Sequence, residues 1–508
     1  MRKKIHSGMM LALLLIGMLT LAFNIQGARA DWTWTETIYI RADGSVDPDT
    51  APISTVDNII YTLTDNIVDA APSSNAIAVT IERDNVILDG AGYTLQGARY
   101  MLSKGIDTLG RSNVTIRNMT IKQFHYGVWL NYGSNNTVSG NNITNNEVGV
   151  WVYCSSDNTV SRNNITNNNW HGVHLRYRSD FNTVSGNNIT SNKGHGVELY
   201  WRSDFNTVSG NNITNNNKDG VSLYESSSFN TVSGNSIANN NEDGVSLWGS
   251  NNTVSRNNIT NNNRYGVRLF SGSSNTVSGN SIANNNEDGV HLFYSSNNTV
   301  SGNSITTNNY GVSALGSDFN TVSRNNIATN NYGVELFISS GNTFHHNNFV
   351  NHTQQVDSYE STNIWDDSYP SGGNYWSDYE EKYPDAEELD GSGIWDTPYE
   401  IDWNDQDNYP LMKPWTPTPP IPTTIDQLKT EIEELGIQDE IDNQGIVKSL
   451  IAKLNVAQKL VDKGKIDEAK SILEEDFIPQ VQNLVNIHIT PEVAEILIES
   501  AEYILSHL

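Results

Sequence analysis

The chain has 508 residues and a formal net charge of −28 at pH 7, which disfavours nucleic acid or an anionic membrane surface as a partner. Its one cysteine, Cys154, excludes an intrachain disulfide and reads as a buried packing thiol. The length allows about three structural units.

Arg2, Lys3 and Lys4 precede an apolar run from Met9 to Phe23, and Ala28-Arg29-Ala30 supplies a small–x–small cleavage pattern. Residues 1–30 therefore read as a secretory signal peptide, with export to the cell surface or exterior and a mature chain beginning at Asp31. The alternative is a retained anchor. No second long apolar stretch follows, so no membrane insertion of the mature chain is expected.

Residues 31–110 read as an N-terminal cap and first coils, with strands around Ile81–Gly90 and, just beyond, Asn113–Ile116; the stretch Asp57–Ala71 is expected to cover the open end. Over 111–350 a unit such as Asn136-Thr137-Val138-Ser139-Gly140-Asn141-Asn142-Ile143 recurs. Its Val returns at positions 160, 184, 208, 232, 254, 277, 300 and 322, in steps of 22 to 24 residues, and most units close with Gly-Val-x-Leu. Short alternating strands of this kind cannot bury themselves alone. Stacked about 4.8 Å apart, they form parallel sheets around one apolar core, with Val138, Ile143, Val150 and Val152 inward. The predicted fold is mainly β, a right-handed parallel β-helix, with a small all-α module at the C-terminus. Asparagine columns, such as Asn141 to Asn347, Asn136 to Asn342 and Asn146 to Asn330, are expected to take the left-handed backbone of the turns and to bond their equivalents above and below.

In-register repeats turn positions into columns. After the closing Leu come Tyr153, Arg176, Tyr200, Tyr224, Trp248, Phe270, Phe293 and Phe337. Facing outward, Tyr153, Tyr200, Tyr224, Trp248, Phe270 and Phe293 are candidates for stacking on sugar rings; the alternative is that they pack on one another. Before the Gly-Val pair come His171, His195, Asp219, Asp243, Tyr265 and Asp288, with Glu198 on a neighbouring strand. Asp219 and Asp243 on adjacent coils would be about 5 Å apart, near the separation used by retaining glycosidases, and like charge raises one of the two pKa values. His195 is the candidate base or substrate contact. The plainer reading is a solvated acidic turn multiplied by duplication, and no dense Arg, Lys and Asp constellation is visible. Sequons at Asn142, Asn164, Asn188, Asn212, Asn258 and Asn351 would permit glycosylation.

Residues 351–413 read as an acidic C-terminal cap; 351–415 hold 16 Asp or Glu against Lys382 and Lys413. Within it, Glu388, Asp390, Ser392 and Asp396 alternate with glycines like a calcium loop, with Asp402, Asp405 and Asp407 near enough in sequence to add oxygens. A Pro-rich spacer covers 414–423, and the period then changes to about 3.6. In the helical module, 424–508, Leu428, Ile432 and Leu435 mark one helix, Ile446 to Val461 a second, Ile466 to Leu484 a third bent at Pro479, and Thr490-Pro491-Glu492 opens a fourth.

The opening Ile38–Pro48, the element Leu88–Gly97, the repeat, and the closing blocks Gly373–Tyr379, Gly393–Tyr399 and Asp407–Leu411 resemble the NosD-like family of secreted β-helix proteins, especially large surface proteins of archaea. The resemblance implies the fold, and it brings copper-site assembly for nitrous oxide reductase as one role, for which Cys154, His345, His346 and His352 are the ligands on offer. Residues 440–508 resemble FIMAH-like helical modules, which implies interaction with a protein partner or anchoring. The reading taken is an exported, non-catalytic protein binding an extracellular polysaccharide or envelope component. The alternatives are a polysaccharide hydrolase or lyase using Asp219, Asp243 and His195, and the copper role.

Overall fold

A computed structural model describes residues 31–69, 75–416, 424–437, 441, 443–485, 487–489 and 491–508. The expected signal peptide and most of the Pro-rich spacer lie outside the described residues. Two compact units divide between Trp415 and Thr416.

The first unit is a parallel β-helix of about 14 turns, built from two 15-stranded sheets and one 14-stranded sheet. Each coil passes in turn through a Thr-Val-Ser strand, an Asn-Ile-Thr strand and a Gly-Val-x-Leu strand. Register is strict: Val138 pairs with Val160, Ile143 with Ile165 and Val150 with Val173. Val138, Ile143, Val150 and Val152 are fully buried in one continuous core. Every second residue points out, so a slip of one residue would expose that whole set.

The asparagine columns are the turn locks. Asn235 donates from Nδ2 to Asn257 Oδ1 on the next coil at 2.9 Å and to the Val208 carbonyl on the preceding coil at 2.9 Å. Its backbone N–H also donates to Asn257 Oδ1, at 2.9 Å. One side chain thereby satisfies backbone groups that the tight corner leaves without strand partners. The left-handed backbone, however, does not fall on these asparagines. It falls on the residue before each: Gly140, Arg162 and Gly186 have φ of 65°, 56° and 63°. That residue makes the corner, so the asparagine that follows can aim inward. A serine ladder at the third corner (Ser155, Ser179, Ser203, Ser227), unnoticed in the sequence, works the same way, each N–H donating to the next Oγ at 3.2–3.4 Å.

The glycine of Gly-Val-x-Leu is a packing requirement. A Cβ on Gly220 would lie 2.4 Å from Ile237 Cγ2 and 2.7 Å from the Gly244 carbonyl oxygen, so no side chain fits there.

The ends differ from expectation. Within Asp57–Ala71, residues 60–63 and 67–69 are coil strands, pairing with Ile87–Asp89 and Thr94–Gln96; residues 70 and 71 lie outside the described residues. Short antiparallel strands, Val46–Asp47 against Ile38–Ile40 and Ile53–Ser54 against Ile60–Leu63, border that end instead. At the C-terminal end, Trp365 and Trp376 stack on Phe344 and Phe349 at 4.4 Å each and plug the core. Each asparagine ladder also has a terminator. The Asn363 N–H donates to Asp405 Oδ2 at 2.8 Å, and the Asn374 N–H to Asp407 Oδ2 at 2.7 Å. In the third ladder His352 replaces the asparagine, with its ring nitrogens against the Ile327 and Asn330 carbonyls. A carboxylate only accepts, so it ends a ladder without leaving an unpaired amide. Asp405 and Asp407 are thus spent inside the protein rather than offered to calcium, and burial pushes the Asp407 carboxyl up to about 7.

The second unit has helices Ile425–Ile437, Gln444–Val461, Ile466–Ser471, Ile478–Leu484 and Pro491–His507 around their own core, including Leu428, Leu450, Leu454, Phe477 and Leu497. The expected bend at Pro479 is a π-helical turn, Ile472–Phe477, immediately before it. The wider turn accommodates a residue that has no N–H to donate.

Candidate functional site

Three side-chain columns run along the outer face of the Gly-Val-x-Leu sheet. The middle one is the x position, which pairs Trp151, His174, Glu198, Ser222, Ser246 and Arg268 in register. On one side stand His171, His195, Asp219, Asp243 and Tyr265; on the other, Arg176, Tyr200, Tyr224, Trp248 and Phe270. Between Trp151 and Arg268, large side chains fill the middle column except at Ser222 and Ser246. The result is an open trough of about 300 Å³ running lengthwise, lined at its floor by the two serines and flanked along the same column by Glu198 and Arg268.

The acidic wall is not a solvated turn, since Asp219 and Asp243 are only 6% and 1% exposed. Its first job is structural. The His195 N–H donates to His171 Nδ1 at 3.1 Å and the Asp219 N–H to His195 Nδ1 at 3.2 Å. The Asp243 N–H donates to Asp219 Oδ1 at 2.9 Å and the Tyr265 N–H to Asp243 Oδ1 at 3.4 Å. Each side chain accepts the backbone N–H of the next coil, which requires an acceptor at this position and explains why His and Asp interchange there.

Electrostatics separates the members. Burial, reinforced by the Asp219 charge and opposed by Arg268 and Arg264, raises Asp243 to about 7. The Arg268 guanidinium stands 3.8 Å from Asp243, too far to offset the burial. Burial opposes charging of His195, but the Asp219 carboxylate at 3.3 Å and the Glu198 charge outweigh it and raise the imidazole pKa. Glu198 is raised by its burial. His171 is pushed far down by burial and by its histidine neighbours, and His174 falls to about 3, chiefly through burial. The trough therefore holds a carboxyl, Asp243, that keeps its proton to higher pH than an ordinary carboxylate does.

The rings of this wall both face outward and pack on one another. Tyr200, Tyr224, Trp248, Phe270 and Phe293 do face outward and stay half-exposed, yet they also pack on each other coil to coil. Tyr200 and Tyr224 stack at 5.7 Å, Trp248 and Phe270 at 3.9 Å, and Phe270 and Phe293 at 5.2 Å. Trp248 meets Tyr224 at 63°. Tyr200, Tyr224 and Trp248 line the trough, whereas Tyr153, Phe270 and Phe293 lie outside it. The middle column escaped the sequence reading because its residues vary from coil to coil. Lys218, Arg264 and Arg268, which looked dispersed, are brought to the acids by the coil repeat.

The expected calcium residues lie on the hairpin paired between Glu388 and Trp395. Glu388 accepts the Gly393 N–H, Asp390 the Ser392 N–H and the Tyr369 hydroxyl, and Asp396 the Glu387 N–H; Ser392 lies between them. Among the candidate copper ligands, Cys154 is half-buried with its thiol pKa raised by burial, and His352 is engaged as a ladder end. Among the described residues, two groups converge closely enough to share an ion: His171, His174 and Glu198, and His345, His346 and Asp367. The first does not fit a metal. His171 Nδ1 accepts a backbone N–H, so its proton sits on Nε2, 3.1 Å from Glu198 Oε2. That nitrogen presents a donor and not a lone pair.

The family model NosD, described as a periplasmic copper-binding protein, matches residues 77–246 and 226–381, and the FIMAH domain model matches 425–506. Comparison with curated proteins gives no match. The solved periplasmic alginate epimerase AlgG is similar at 16% identity and a TM-score of 0.33, over 62% of this chain and 80% of that one. The A-module of the Azotobacter vinelandii mannuronan C-5 epimerase AlgE6 gives 14% and 0.40, over 61% and 85%. The Dettilon tailspike protein gives 15% and 0.38, over 59% and 62%. At that level of similarity nothing about activity transfers. No helix among the described residues is long and apolar enough to cross a membrane.

Proposed function

The chain belongs to the NosD family and carries a FIMAH domain at its C-terminal end, and from that premise we propose that the trough binds a polysaccharide along the solenoid axis, outside the cytoplasm, and cleaves it. The observation that carries this reading is Asp243, a carboxyl with a pKa of about 7 in the trough wall, one coil from Asp219. A chain polymer suits a groove that runs lengthwise over several coils. The half-exposed edges of Tyr200, Tyr224 and Trp248 give its apolar side, and the acids with Arg268 its polar side.

In its protonated form Asp243 gives its proton to the departing glycosidic oxygen, as a general acid poised near the working pH does. Asp219, one coil away at about 4.8 Å, stands close to the separation of retaining enzymes and is the nucleophile on the anomeric carbon. The sugar is then carried on the Asp219 carboxylate. Water, losing a proton to Asp243, releases it and restores both acids. His195 Nδ1 accepts the Asp219 N–H and so fixes the backbone that carries this carboxylate. Non-catalytic binding in the same trough is the second reading, supported by the ring wall alone.

The test is binding and product release on a panel of polysaccharides with the wild type and with Ser246→Trp. The middle column carries tryptophan at Trp129 and Trp151, so the sheet tolerates one there. Filling the trough should abolish binding and reducing-end release together, with the circular dichroism unchanged. Binding that survives Ser246→Trp would remove the trough from the reading. Binding without release by the wild type would leave the non-catalytic reading.

A further inference from the structure

One corner of the solenoid carries an apolar row that neither the core nor the trough uses. Phe181, Phe205 and Phe229 stand on three successive coils, each directly before a ladder asparagine and each about half-exposed. Their rings stack at 5.0 Å, with planes 6° and 9° from parallel. The position is left-handed, with φ of 57°, 58° and 58°. Elsewhere it is held by residues suited to such a corner, among them Asn135, Asp157, Asn251, Asn297 and Gly341. A phenylalanine there strains the backbone and turns an apolar ring to solvent, so the fold alone gives no reason for it.

The faces of these rings are turned on one another, so the row offers a visitor its edges and not faces on which a sugar could lie. The charges beside it fit a second copy of the chain. One flank is the outward column Thr183, Thr207 and Thr231, which is uncharged and short. On the other flank, exposed charge runs from basic to acidic along the axis. Arg178 stands on the coil of Phe181 and Arg202 on that of Phe205, and Glu225, one place along, stands on that of Phe229. Between them Asp180 and Asp204 accept the backbone N–H groups of Asp204 and Ser228, at 2.8 and 2.7 Å. Such a row is complementary to itself when reversed. A two-fold axis crossing it at Phe205 lays Phe181 on the partner's Phe229 and brings Arg178 to the partner's Glu225.

We propose that this corner is the interface of a two-fold symmetric dimer, in which two solenoids lie antiparallel, their phenylalanine rows packed together and Arg178 of each paired with Glu225 of the other. The rings supply the apolar centre and the charges the rim, the usual division of an interface. A net charge of −28 opposes association of two copies in general. Here the charge is close to balance, with Arg178 and Arg202 set against Asp180, Asp204 and Glu225. Phe319 takes the same corner at φ 57°, but Asn297 and Gly341 hold it on the adjoining coils, so it stands outside the row.

The test is sedimentation of the purified chain across a dilution series, which should show a monomer–dimer equilibrium. Phe205→Asn should raise the dissociation constant at least about 30-fold, as removal of a central interface ring does. Asparagine is what this corner carries at Asn251, so the variant should fold with thermal stability equal to or above that of wild-type monomer. Phe319→Asn, at the same kind of corner outside the row, should leave the dissociation constant unchanged. Arg178→Glu and Glu225→Arg should each weaken the dimer by about 5-fold, and the two together should restore it. A wild type that stays monomeric throughout would overturn the proposal. So would a dimer that survives Phe205→Asn, which would put the contact on another face, or a combined charge variant weaker than either single one, which would exclude the antiparallel arrangement.

Discussion

Asn235→Ala should destabilise the solenoid by about 3–4 kcal/mol in urea unfolding, whereas Asn241→Ala, six residues away in the same coil, should change it by less than about 0.5 kcal/mol. The difference lies in what each amide holds. Asn235 Oδ1 accepts both the N–H and the Nδ2 of Asn211, and its own Nδ2 donates to Asn257 and to two carbonyls, Val208 and Ser233. Truncation leaves the buried Asn211 N–H without its acceptor and opens a void beside it. Asn241 is exposed, with its side chain sharing one bond, from Asn263 at 3.3 Å, and water replaces it. Asn235→Asp should cost more than Asn235→Ala. The carboxylate keeps the shape but turns acceptors against Asn257 Oδ1 and the Val208 carbonyl in a place where charge is expensive. Equal stability of Asn235→Ala and Asn241→Ala would show that the ladder is incidental to the stack.

Asp243→Asn should lower polysaccharide turnover by at least about 100-fold, the usual contribution of a general acid, while oligosaccharide affinity stays near wild type. The amide keeps an oxygen to accept the Tyr265 N–H, so the acceptor ladder of the wall survives the change. In the wild type the proton donor is the protonated form of a group raised to about 7, so activity should fall as pH rises through 7. Arg268→Gln removes a cation that favours the ionised carboxylate. The pKa of Asp243 should then rise, and the falling limb should move to higher pH. A limb that stayed in place would mean that some other group sets the profile.

Most of the solenoid was legible because Val138, Ile143, Asn141 and the Gly-Val pair recur in register, and a repeat that cannot bury itself alone has one economical solution. Columns followed from that register, so the acids and rings of the trough were visible as candidates. What the repeat hid was the meaning of its exceptions. Ser222 and Ser246 matter because they are small where neighbouring coils are large, a fact about volume that no motif carries. Asp219 and Asp243 looked like copies of a solvated turn because their burial depends on the flanking columns. Asp405 and Asp407 looked like calcium oxygens because a ladder has no visible end in a sequence.

The trough itself is tested most directly by a crystal structure of Asp243→Asn soaked with an oligosaccharide that the wild type cleaves. A sugar chain is expected along the solenoid axis over Ser222 and Ser246, with its scissile oxygen at position 243 and its rings against Tyr224 and Trp248. Density for the sugar on another face, or lying across the coils with no contact to Asp219, would contradict the account.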